Sequence, residues 1–135
     1  MARVGCLPLR KLSQARQKPV TLVSMEELPV INRTYEVYKN LSVILATLPK
    51  QHRYSLGQSS ETSVLALLES LIMAKHAPKA QKSTYLIRAS AQHEITVLKL
   101  RLMLELQLAN ETNILKLQAK LTEVGRMLGG WRKSV

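Results

Sequence analysis

The chain has 135 residues, enough for one domain and one core, and its 46% hydrophobic content is that of an ordinary globular protein. It carries 20 Lys and Arg against nine acidic residues, all of them Glu, for a formal net charge of +11. This composition excludes wholesale disorder. It also excludes an intrachain disulfide framework, because Cys6 is alone, and a bilayer-spanning helix, because no apolar run approaches ~20 residues.

Residues 1–24 hold five basic residues and no acid, with Pro8 and Pro19 and no sustained apolar period. Arg-rich, acid-poor composition resembles a transit peptide, but a secretory apolar core is missing. A disordered basic tail and an overlong start with translation from Met25 are the other readings, and the onset of helix signals after Met25 favours these two. The bundle domain is therefore expected over 25–135.

The first helix opens near Glu26-Glu27, with acids at the positive end of the helix dipole and Pro29 in the first turn. Ile31, Tyr35, Tyr38, Leu41, Leu45 and Leu48 recur every three to four residues and predict its buried face. Pro49 ends it, and Lys50 to Arg53 form a basic, polar link. A second helix is predicted over roughly Ser55 to Lys75, with Val64, Leu65, Leu68, Leu71 and Ile72 inside, and Pro78 breaks the chain after it.

The third helix, about Lys82 to Ala109, has two apolar stripes. One is Leu86, Val97, Leu100, Leu104 and Leu108. The other is Ile87, Ala91, Ile95, Leu98, Leu102, Leu106 and Ala109. A narrow polar seam of Ser90, Glu94, Arg101 and Glu105 separates them, and Arg88, Gln92, Thr96 and Lys99 form a wedge expected to stay wet. A bundle helix needs one stripe for its own core. The second implies another buried contact, either a central position in the bundle or an interface with another subunit. Asn110 or Thr112 can cap the fourth helix, whose core positions are Ile114, Leu117, Leu121, Val124 and Leu128, and Gly129-Gly130 is expected to end it. Gly125 and Gly129 form a small-xxx-small pair that allows a close helix crossing, and Trp131 is expected to seal the core. Short connections make neighbouring helices antiparallel, giving an all-α, up-down-up-down four-helix bundle.

No catalytic constellation is present. There is no Asp, the Glu residues are scattered, and His52, His76 and His93 have no metal-ligand spacing with one another or with Cys6. No phosphate-binding glycine motif occurs. The sequence thus gives no sign of an enzyme, a metal, a cofactor or a small-molecule substrate. The charge is uneven: residues 25–74 are nearly neutral, whereas 75–135 hold eleven basic residues against four acids. A surplus concentrated in one half of a small helical protein points to a polyanion partner, most often nucleic acid. Lys75, Lys79 and Lys82 bracket the second turn of the bundle, Arg126, Arg132 and Lys133 crowd its far end, and Arg88, Lys99 and Arg101 lie along the third helix. Aromatic residues are only 4%, so phosphate contacts rather than base stacking would carry the binding. The lone cysteine and the lack of a membrane segment fit a cytoplasmic protein.

Two segments carry a family resemblance. Leu48-Pro49-Lys50-Gln51-His52-Arg53-Tyr54-Ser55-Leu56-Gly57 is similar to the first inter-helix link of the small four-helix-bundle proteins related to ribosomal-RNA intervening-sequence proteins. Thr122-Glu123-Val124-Gly125-Arg126-Met127-Leu128-Gly129-Gly130-Trp131 resembles the C-terminal signature of Avd, the accessory variability determinant of diversity-generating retroelements. The resemblance implies a non-enzymatic bundle that assembles as a barrel-like homopentamer. It further implies binding to the element's reverse transcriptase and to template RNA or RNA/cDNA, in support of mutagenic cDNA synthesis. The second stripe of the third helix, Ile87, Ala91, Ile95, Leu98, Leu102 and Leu106, is then the expected subunit interface. Lys99 falls on the part of the third helix that is basic in the family, while Met103, one turn later, is apolar where another basic residue is expected. The basic leader is not a family feature. The competing reading is a stand-alone basic bundle of the intervening-sequence type that binds RNA without a polymerase partner.

Overall fold

The structure is a computed structural model that describes residues 27–135. The expectations for residues 1–24 lie outside the described residues. Four long helices make up the described residues: α1 (Glu27–Leu45), α2 (Gln58–His76), α3 (Lys79–Glu105) and α4 (Glu111–Ser134). No strand occurs among the described residues, and no helix among them is long and apolar enough to cross a membrane.

Each helix packs on its sequence neighbours, and α4 closes the ring against α1. The directions alternate. Arg33 near the start of α1 pairs with Glu123 late in α4 at 3.4 Å, and Lys99 late in α3 reaches Ser59 and Ser63 early in α2. His93 bonds to Leu121 and Arg132 to Ser90, so α3 and α4 are also antiparallel.

The buried positions follow one rule in all four helices. Along α1 and its exit turn they are Val30, Thr34, Val37, Leu41, Ile44 and Leu48; in α2 they are Ser60, Val64, Leu67, Leu71 and Ala74. In α4 they are Ile114, Leu117, Leu121, Val124, Leu128 and Trp131. In α3 they are Leu86, Ala89, Thr96, Leu100 and Met103, with half-buried His93 filling the remaining step. Apart from Leu45 and Ser63, which are buried beside this set, the spacing alternates between three and four, the heptad pattern of helices that cross at a shallow angle and interlock side chains. Each fully buried Leu contributes roughly 1.5–3 kcal/mol. The buried hydroxyls of Thr34, Ser60, Ser63 and Thr96 donate to the carbonyl four residues back, so none is left without a partner.

That register corrects several expectations. On α1, Tyr35 is exposed, and Ile31 and Tyr38 only border the core. On α2, Leu65 and Ile72 are exposed, and Leu67 and Ala74 take their place. On α3, Thr96 belongs to the core rather than to a wet wedge, because that flank packs on α2. Ser59 and Ser63 supply the small side chains that let α2 and α3 approach closely.

The breaks also have identifiable causes. Tighter i to i−3 bonds, Thr47 N to Ile44 O and Leu48 N to Leu45 O, finish α1 before Pro49. The predicted link is itself helical: Lys50–His52 forms one turn and Arg53–Gly57 a π-helical segment that runs directly into α2. Gly57 is buried there, and a Cβ would sit 3.0 Å from Leu48 Cδ1 and 3.3 Å from the His52 carbonyl, so glycine allows α1 and α2 to close. The Arg53 guanidinium donates to the Ala46 and Leu48 carbonyls and caps the end of α1.

Helix α3 starts at Lys79, directly after Pro78, and ends at Glu105, short of Ala109. Gln107 takes φ 56, Gln107 N bonds to Leu104 O and Leu108 N bonds to Met103 O, a Schellman termination. Asn110 caps α4 by accepting from Asn113 N at 3.1 Å. Gly129-Gly130 does not end α4, which continues to Ser134 with no glycine at positive φ. Burial of Trp131 holds that last turn and outweighs two glycines at about 1 kcal/mol each.

Candidate assembly face and basic end

The heptad register places the second stripe of α3 on the side away from the core. Ile87 is 53% exposed and Leu98 55%, and Ala91, Ile95, Leu102 and Leu106 are exposed with them. These six residues form one apolar strip along nearly the whole helix, longer than a small protein ordinarily leaves to water. The stripe is not central in the bundle, which settles one of the two alternatives that the sequence left for a single subunit.

The basic residues divide into those held inside the bundle and those that face outward. Lys99 is half-buried, and its ammonium donates to Ser59 O at 3.0 Å and Ser63 Oγ at 2.6 Å, joining α3 to α2. Lys82 is also half-buried and donates to Ala74 O at 2.8 Å and Lys75 O at 3.0 Å, capping the end of α2 from the first turn of α3. Arg101 pairs with Glu105 one turn on, at 3.4 Å, with both side chains exposed. Arg88 is exposed, with its guanidinium 5.7 Å from the centre of the Tyr85 ring. Met103 is fully buried, so its position is part of the core and no basic surface passes through it.

The other cations expected to bind nucleic acid converge on one end. Lys75 stands in the last turn of α2, Lys79 begins α3, and Arg126, Arg132 and Lys133 lie in the last three turns of α4. The sequence placed the first group at a turn and the second at the opposite end of the bundle. Antiparallel packing puts both at the same end, and Arg132 Nη1, 3.3 Å from Ser90 Oγ, spans the gap from α4 to the first half of α3. Arg126, Arg132, Lys133 and Lys79 are exposed there. The arrangement is a cationic surface drawn from three helices, of a kind that can contact successive phosphates.

No group of His, Cys, Asp and Glu among the described residues could hold a metal ion. His93 is occupied structurally. Its Nε2 lies 2.6 Å from the Leu121 carbonyl and its ring rests on Gly125, where a Cβ would come within 2.7 Å of Cε1. The close crossing suggested by Gly125 is therefore a histidine seat, whereas a Cβ on Gly129 would meet nothing. Sequence reasoning missed Arg53, whose signal was a basic residue just beyond the Pro49 break, and the internal bonds of Lys82 and Lys99.

Comparison with curated proteins finds no match to the chain. The family model described as bAvd-like matches residues 29–135, which takes in all four helices apart from the first two residues of α1. The bundle, with its exposed α3 stripe and basic end, thus belongs to the bAvd-like family, the accessory Avd-type proteins of diversity-generating retroelements.

Proposed function

We propose that this chain is the assembly and docking component of a mutagenic reverse-transcription complex in the cytoplasm. Subunits associate through the outer stripe of α3 into a barrel-like homopentamer. The basic ends hold template RNA or RNA/cDNA, and the assembly docks the reverse transcriptase. The polymerase performs the chemistry, and the accessory protein raises local concentration and fixes geometry. The pentameric number and the polymerase partner follow from family resemblance. The observation that carries the reading is the six-residue apolar stripe left exposed by one subunit of a family of accessory proteins.

Light scattering after size exclusion tests the assembly. A mass near five times 15.2 kDa is expected, and Leu98→Glu should reduce it to one subunit with helicity retained, because Leu98 lies outside the core of its own subunit. A wild-type monomer would overturn the barrel. For RNA, reversal of Arg126, Arg132 and Lys133 to Glu should weaken binding and flatten the log–log salt dependence by about 2, near 0.7 per lost phosphate contact on a single strand. Unchanged affinity would remove the basic end from the binding surface.

A further inference from the structure

A second surface lies between α1 and α4 and shares no residue with the α3 stripe or the basic end. The facing edges of the two helices leave a groove of ≈ 210 Å³. Its floor is Ile44 and Leu117, both buried, and Val43 stands on its lip at 67% exposure. Asn40 and Asn113 contribute carboxamides, and Lys116 and Lys120 border it one turn apart on the same side of α4. No carboxylate lines the groove, and neither ammonium joins an ion pair among the described residues. This flank of α4 is opposite the one that carries Gly125 and Arg132 toward α3.

We propose that the groove docks an acidic segment of a partner protein, one that lays an apolar side chain over Ile44 and Leu117 and sets carboxylates on Lys116 and Lys120. Charge complementarity selects this occupant: two cations outside any ion pair among the described residues stand beside an apolar floor, and the one acid on that flank of α4, Glu123, is engaged by Arg33. A nucleic-acid backbone has phosphates for the lysines but nothing apolar for the floor, and no aromatic side chain lines the groove to stack a base. The leader of this chain is not the occupant, because residues 1–24 contain five basic residues and no acid. The inference does not depend on the RNA-binding reading, which rests on other residues.

Fluorescence anisotropy on the full chain provides the test, with a labelled amphipathic peptide of glutamate and leucine as probe. The peptide should bind, and the Gln-for-Glu version should not. The Lys116→Glu/Lys120→Glu variant should bind about tenfold more weakly, the product of two solvent-exposed ion pairs. Val43→Ser, which leaves the charge unchanged, should also weaken binding by losing apolar contact at the lip. Both lysines are outside the core, and circular dichroism of each variant is the check that it remains folded. No binding of the glutamate peptide overturns the proposal, as does equal affinity of the wild type and the double-lysine variant. A single-stranded oligouridylate that loses affinity in the lysine variant while the peptide does not would overturn it in favour of nucleic acid.

Discussion

The two faces of α3 invert the usual association between hydrophobicity and burial. The inner face is Leu86, Ala89, His93, Thr96, Leu100 and Met103; the outer face is Ile87, Ala91, Ile95, Leu98, Leu102 and Leu106. The outer set has more branched aliphatic side chains, yet it is the exposed one. What decides burial within the subunit is the three-four register shared with the other helices, together with fit: Ala89 is small, Thr96 bonds to its own helix, and His93 bonds to Leu121 over Gly125. Local apolarity does not by itself say which face the subunit buries. Register identifies which face is buried by the chain itself.

The comparison can be broken most directly by truncating one residue from each face in a Leu98→Glu background. Leu100→Ala should cost roughly 2–5 kcal/mol in urea unfolding, the transfer and cavity cost of a buried Leu. Leu102→Ala in the same background should change stability by no more than about 0.5 kcal/mol. Equal costs would place both faces inside the subunit. A smaller effect sharpens the account of the inner face. Helix propensity alone gives Gly125→Ala a gain of about 1 kcal/mol, but the His93 ring occupies the space, and overpacking costs about 1–3 kcal/mol. The melting temperature should therefore fall. His93→Ala should cost less on top of Gly125→Ala than alone, and additive effects would show that the ring and the glycine are uncoupled. The smallest change concerns where both faces end. Gln107 holds a left-handed conformation just past Leu106, so Gln107→Gly should raise stability by about 0.5–1 kcal/mol without altering assembly.

Much of the architecture was legible because chain breakers and caps act locally. Pro49, Pro78 and Asn110 each mark a boundary that the structure keeps to within a few residues. The exposed stripe of α3 could also be read, since it is a surplus over what one core needs. Other features required neighbours. Nothing near Gly129-Gly130 in the chain says that Trp131 will be buried and carry the helix onward. Thr96 and Lys99 read as a wet wedge until Ser59 and Ser63 of α2 are set against them, about forty residues away. The two basic clusters were each visible, but their union depends on helix direction, which couples the α2–α3 turn to the end of α4. The groove of Lys116 and Lys120 was missed because half of its floor belongs to α1.

The shared location of Lys75, Lys79, Arg126, Arg132 and Lys133 has a consequence for symmetry. Cyclic repetition copies a subunit by rotation alone, so every copy points the same way along the axis. In a ring whose axis follows the helices, the cationic ends collect on one rim, and the Pro49 links with the Asn110 caps collect on the other. Such a ring has a top and a bottom that differ in density of positive charge, and a polyanion approaching it is drawn to the more cationic rim. The face of approach is then set before any specific contact forms.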